Sequence, residues 1–256
     1  MSDSLITFAD GSSVSEVNTV LLAIGYDMKI PFLTEGDTLA VIPPTSTGKR
    51  DDKHLTTNTR YIRPLYNHFL SLSSAYPIGS LYIIGLPELA FAASCGTVQS
   101  TFAAHTIANP TLLNIHNNTL LSPTQSRQEY LNALHRREHI LRKGGRNPDW
   151  EGHRFSGYAQ EAQDYEEDLI EWLKVRGVIG LPEGNYVEPW RRRARDHYFE
   201  IIGAWRKIET LGEDVKRRWL EGVETIEQWV GVMDRLAEWS KTEFGTAVVS
   251  EQDADF

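Results

Sequence analysis

The chain has 256 residues, 41% of them hydrophobic and 24% charged, the balance of a folded globular protein. Its formal net charge of −9 excludes a nucleic-acid binder that works by neutralising phosphates. The one cysteine, Cys95, excludes an internal disulfide, a CxxC redox pair and a cysteine-built zinc site, and points to a reducing, cytoplasmic compartment.

The opening MSDSLITFADG has neither the basic flank nor the apolar core of a signal peptide. It enters a strand-like pattern at once, as does a chain that lacks its first half. Leu5 to Val14 reads as a hairpin, with Ile6 and Phe8 alternating with polar residues and Asp10-Gly11 supplying the tight turn. Val17 to Ile24 is continuously apolar, the pattern of a strand covered on both faces. Gly25 ends it, leaving backbone that a ligand can approach without meeting a Cβ. Residues 34–60, with Pro43-Pro44 and GKRDDKH, read as a loop, and 61–76 as short strand and turn pieces. SLYIIGL (80–86) reads as a second buried strand ending in a glycine, Gly85. The most apolar window, Leu81 to Ala93, is broken by Pro87 and Glu88 and is too short to span a bilayer. After it a helix is predicted over 97–108.

From Thr124 the chain becomes rich in charge, Trp and Tyr. Helices are predicted over 124–143, 158–176, 190–210 and 212–241, with breaks at 143–148 and 181–189. Ile226, Trp229, Val230, Met233, Leu236 and Ala237 recur at helical spacing in the last one. The expected architecture is mixed α/β: residues 1–122 form a sheet edge beside a helix N-terminus, and 123–256 form a mainly helical region.

Several constellations are candidates for chemistry. AIGY and IIGL would bring two strand-glycine ends to one sheet edge, where a ligand can lie across bare backbone. The first turn of the helix after CGTVQS would offer free N–H groups and partial positive charge, with Thr97, Gln99 and Ser100 adding side-chain hydrogen bonds. His135 and His139 share a helix face at metal-site spacing, but no third ligand is evident, so a solvated face is the better reading. RRRAR in PWRRRARDHYFE (189–200) is an anion or nuclear-import patch, or, better in an acidic chain, a helix face paired with Glu and Asp. Trp205, Trp219, Trp229 and Trp239 read as core or interface rather than a cofactor box. No G-x-S-x-G, G-x-G-x-x-G or P-loop occurs.

In order and spacing these pieces resemble the C-terminal part of a flavin-containing monooxygenase of the fungal type. ITFADGSSVSEVNTVLLAIGYDMKIPFL is similar to the family's F-x-D-G … A-T-G-Y … P-F-L segment. RYIRPLYNHFLSLSSAYPIGSLYIIGLPELAF is similar to the stretch leading into its L-x-F-I-G-L strand, and GTVQSTFAAHTIA to the helix after it. The resemblance implies a C-terminal remnant of a FAD/NAD(P)-binding sheet followed by helices. It also implies an oxidoreductase in which FAD, reduced by NADPH, activates O2 and oxygenates a small substrate with a soft nitrogen or sulfur nucleophile. Cofactor contacts would come from Gly25, Thr97, Gln99 and Ser100, with the 97–108 helix pointing its N-terminus at the flavin. No catalytic residue and no metal ligand is assigned, and a homo-oligomer is left open. Departures are Ile24 at the usual Thr position, Asn18 at an acidic one and Thr97 at a Glu one. The FAD and NADPH fingerprints are missing from these residues, so the expectation is a truncated monooxygenase-like chain. The alternative is a non-catalytic binding or interaction module, with apolar surface exposed where a missing domain packed. A disulfide-reductase reading is weakened by the lone cysteine.

Overall fold

The computed structural model describes residues 6–8, 10–15, 27–42 and 52–243. Gly25, Ile24 and the strand predicted over 17–24 lie outside the described residues. The first hairpin is formed as expected: β1 (Ile6–Thr7) pairs antiparallel with β2 (Ser13–Val14), Ile6 opposite Val14. Asp10 closes its turn by accepting from the Ser12 N–H and hydroxyl, and Gly11 takes φ +85°.

The loop predicted over 34–60 contains structure of its own. A single helical turn, α1 (Pro31–Thr34), leads into β3 (Leu39–Val41), which pairs in parallel with β4 (Leu55–Thr57). β4 then pairs antiparallel with β5 (Ile62–Arg63). The three strands are too short to show a period in a polar sequence. They hold together because Leu39, Leu55, Ile62 and Leu65 bury together, with Met28, Ile30, Leu33, Leu81, Ile83 and Leu86 packed against them.

β6 (Leu65–Tyr66) and β7 (Leu70–Ser71) form a tight hairpin whose turn residues, Asn67 and His68, both have positive φ, +46° and +68°. The predicted strand over 80–86 is corrected: it is half-buried to exposed, and it meets β7 through one bridge, Leu70 with Tyr82. Gly85, at φ +88°, turns the chain out of the pleat before a strand can extend. The following helix is also corrected. α2 runs from Ala92 to Ala108, so it begins five residues before Thr97 and carries Gly96 in its interior. The small residues of AASC propagate the helix back through a glycine that reads in sequence as punctuation. A 3-10 helix (Pro110–Asn114) and the hairpin β8 (Ile115–His116)–β9 (Thr119–Leu120) follow.

The remainder is helical. α3 (Pro123–Lys143) opens with a capping box in which the Ser122 side chain accepts from the Gln125 N–H and Gln125 Oε1 accepts from the Ser122 N–H. A short turn, α4 (Pro148–Glu151), precedes α5 (Glu161–Lys174). The helix predicted over 190–210 is two, α6 (Pro189–Asp196) and α7 (Tyr198–Thr210), broken at His197. The one predicted over 212–241 is also two, α8 (Glu213–Leu220) and α9 (Ile226–Glu243). Two cores result. Phe69, Leu70, Val98, Phe102, Leu113, Leu169, Ile170 and Leu173 join β7, α2 and α5. Ala204, Ile208, Val232 and Leu236 join α7 and α9, with Trp205, Trp219 and Trp239 packed around them. Within α9 Leu236 and Ala237 are buried as expected, whereas Ile226 and Trp229 are exposed. No helix among the described residues is long and apolar enough to cross a membrane.

Candidate functional site

α2 divides the residues assigned to a cofactor. Thr97 and Ser100 lie on its exposed face with Ala93 and Ala104. Gln99 lies on the opposite face and is fully buried. Its side-chain oxygen accepts from the Gly85 N–H at 2.8 Å, and its amide donates to the Tyr165 hydroxyl at 2.8 Å. Tyr165 in turn donates to the Asn67 carbonyl at 2.8 Å. Gln99 is therefore a strut between the Gly85 segment, α5 and the β6–β7 turn, and it does not face a ligand. Thr97 does not sit at a helix end either: its hydroxyl donates to the Ala93 carbonyl one turn back.

The helix end expected at Thr97 is found at Phe91–Ser94, where no side chain caps the first turn. Nearby in sequence, Gly85 leaves open space where a Cβ would stand. Around this end Ile84, Leu89 and Phe91 are exposed apolar side chains. The structure thus offers bare backbone at Gly85, an uncapped helix start and a narrow face of small residues along α2. That surface suits a flat ring with a polar edge. Tested against the implied groups, it offers backbone N–H groups to a ring edge and no site for a pyrophosphate. A pyrophosphate needs a glycine-rich turn on a helix N-terminus, and the sequence contains no G-x-G-x-x-G. NADPH finds no counterpart by the same criterion.

A second cluster, which the sequence did not flag, lies in the middle of the molecule. A cavity of about 90 Å³ is lined by Tyr61, Tyr66, Asn67, His68, Arg137 and His153, among others. His68 and His153 are buried with their Nδ1 atoms 3.1 Å apart. Burial, reinforced by the Arg137 charge, holds His68 well below the usual imidazole range and His153 down at about 3. Beside them, Arg63 Nε meets Glu138 Oε1 at 3.0 Å and Arg63 Nη1 meets Asp52 Oδ1 at 2.9 Å, while the Tyr61 hydroxyl donates to Glu138 at 3.1 Å. Burial alone would raise the Glu138 carboxyl; the charge and hydrogen bond of Arg63, with Tyr61 and Arg142, outweigh it and hold the group below its usual value. The Arg63–Glu138 and His68–His153 partners lie 75 and 85 residues apart in sequence, so no local motif announces them.

The remaining candidates are structural. His135 and His139 are both exposed, and His135 Nε2 meets Asp52 Oδ2 at 2.8 Å. The basic run pairs with carboxylates, as expected: Arg191 with Glu166 at 2.6 Å and Arg192 with Asp164 at 2.7 Å, tying α6 to α5. Arg195 lies over the Phe91 and Tyr198 rings instead. Trp205, Trp219 and Trp239 are core, and Trp229 is exposed. Burial pushes the Cys95 thiol up to about 12, with Glu166 adding to it, so it is a packing residue and not a nucleophile. The chain matches no family model, and neither characterised proteins nor solved structures resemble it at a significant level.

Proposed function

We propose that this chain is a monooxygenase-like flavoprotein segment that presents the Gly85–α2 surface to the ring of FAD. In the complete oxidoreductase, phosphate binding and NADPH would come from nucleotide-binding folds outside these 256 residues. The observation that carries the reading is the pairing of an open Gly85 backbone with the uncapped start of α2, in the segment whose order resembles the family. Of the four cofactor contacts expected, Thr97 and Ser100 stay on the presented face. Gln99 is retained as the strut behind it, and Gly25 belongs to the proposal through resemblance alone. What this surface supplies is position: backbone N–H groups and a helix dipole that favour negative charge on a reduced ring, and apolar side chains that exclude water. The oxygenation of a soft nitrogen or sulfur substrate is part of the proposal through the family resemblance.

Titrating the full chain with FAD, FMN and riboflavin while following flavin fluorescence tests it. Because only the ring finds a surface here, the three flavins should be quenched with equal affinity, and Ser100→Arg should abolish the effect. Preferential binding of FAD would mean a phosphate site exists and would overturn this assignment. No quenching by any flavin would favour the second reading, an interaction module. The exposure of Ile84, Leu89 and Phe91 around the same helix start supports that reading independently.

A further inference from the structure

The β6–β7 turn places a histidine where chemistry usually places glycine. In the three-residue loop, the Tyr66–Phe69 turn is closed by the Phe69 N–H on the Tyr66 carbonyl at 3.2 Å. It has positive φ at both central positions, which favours Asn-Gly, and here they are Asn67 and His68. The imidazole that replaces the glycine is buried against Phe155, Tyr165 and His153, with ring centroids 5.2, 5.6 and 5.4 Å away. A side chain that makes its own backbone conformation unfavourable is held there by what its ring does.

The hydrogen bonds fix both tautomers. The Ile62 N–H points at His153 Nε2 from 3.1 Å, so that nitrogen is the acceptor. The His153 proton is then on Nδ1, and it is donated to His68 Nδ1 at 3.1 Å. His68 carries its own proton on Nε2. His153 Nδ1 consequently has no lone pair for a metal ion. Neither ring can accept another proton in place, because each free lone pair already faces a donor: His68 Nδ1 faces the His153 N–H, and His153 Nε2 faces the Ile62 N–H. A backbone hydrogen bond at Gly152 favours a charged His68, but burial and the Arg137 charge outweigh it. Arg137 of α3 faces both rings with positive charge, Tyr165 comes from α5, and Tyr61 stacks edge-on against His153. Of the two carboxylates close by, Glu138 is taken by Arg63 and Tyr61, and Glu161 lies 4.0 Å from Arg137.

We propose that His68 and His153 form an acid-released latch that pins the β6–β7 turn to the 152–155 segment and closes the cavity beside it. Neutral, the pair is a single directed chain, Ile62 to His153 to His68. Once one ring gains a proton, two N–H groups face each other and the turn detaches. The turn residues Tyr66 and Asn67 line both the inner cavity and an open surface groove of about 340 Å³, so release joins the two. The Asn67–Tyr165–Gln99–Gly85 hydrogen bonds carry the movement to α2. The latch stands whether or not a flavin uses that surface.

Amide hydrogen exchange on the full chain, from about pH 7.5 down to 5 and corrected for intrinsic rates, tests it. The first proton breaks the contact, and the second ring, freed with it, takes up another. Opening thus takes up two protons in all, and protection of the Ile62 amide should fall by about 100-fold per pH unit below roughly 6.5. His68→Gly restores the favoured turn, and His153→Gln keeps an acceptor for Ile62. Each should reduce the slope to about 10-fold per unit. A wild-type slope of one proton or less, slopes unchanged in both variants, or the same slope at Leu236 in α9 would overturn the latch. Imidazole nitrogen shifts in the wild type give a second measurement: His153 must be protonated on Nδ1, and the opposite tautomer also sinks the proposal.

Discussion

Gly152 shows how tightly one position can be set by a neighbour. A Cβ there would stand 2.2 Å from two carbons of the Tyr61 ring and 2.6 Å from the Pro148 carbonyl oxygen. Tyr61 cannot move away, because its hydroxyl is committed to Glu138 and its ring flanks His153. Gly152→Ala should therefore cost about 1–3 kcal/mol in chemical denaturation; a neutral result would mean that the ring is free to shift. Glu138 is the other residue whose loss should be large. Glu138→Gln leaves the Arg63 guanidinium short of half its countercharge in a buried site, a cost of about 3 kcal/mol or more. The pH windows of these groups separate. The two imidazoles are held below their unfolded value, so their stabilisation is complete above about pH 6.5 and is lost as pH falls from there. Glu138 is held below its own unfolded value, so its stabilisation persists to about pH 4.3 and is lost only below that. An acid titration of wild type should show two successive losses, and His153→Gln should weaken the first.

At the scale of elements, α2 is where sequence and structure diverge most, and Gly96 is the reason. It sits inside the helix with nothing within 4 Å of where a Cβ would be. Gly96→Ala should raise stability by about 0.5–1 kcal/mol, through lower entropy in the unfolded chain. Lower stability would show that the helix does not run through this point. The glycine looked like a boundary because only local chemistry is visible in a sequence. α3 was legible for the same reason: Ser122, Pro123 and Gln125 form its cap, and Gly144-Gly145 follow its end. The breaks at His197 and 221–225 were not read, although Gly222 at φ +72° marked the second; helical periodicity on both sides concealed them. β3 and β4 were invisible because their few residues are defined by partners rather than by pattern, whereas β5 falls in the stretch read as short strand and turn pieces. The site divides likewise. The small, exposed face of α2 could be placed from spacing once the helix was known. The Gln99–Tyr165 and His68–His153 contacts span 66 and 85 residues, and nothing short of the fold brings them together.

For the whole molecule, the decisive feature is that the α2–α5 core and the α7–α9 core are joined by one charged helix and the ring contact of Phe91 with Tyr198. The core around Val98, Phe102 and Leu169 shares no buried residue with the one around Ile208 and Leu236. Between them α6 is anchored to α5 by Arg191–Glu166 and Arg192–Asp164, while toward α9 it offers the exposed pair Arg193–Asp234 at 3.7 Å. Exposed pairs hold little and are screened by salt. The α7–α9 unit should therefore melt before the rest, and the chain carries reporters for both parts. Trp205, Trp219 and Trp239 pack in the α7–α9 core. Cys95 is buried in the first turn of α2, with its thiol pushed up to about 12 and shielded from reagents until that region opens. In a urea titration tryptophan fluorescence should change in two steps, the second from Trp172 in the other core. The first step should precede the exposure of Cys95 to a thiol reagent, and added salt should widen the gap. Coincident transitions at low and high salt would mean that the two cores fold as one cooperative unit. Early melting of α7–α9 would leave the histidine pair intact, because it takes no residue from beyond α5, while the Gly85–α2 surface would lose the Tyr198 ring that packs on Phe91.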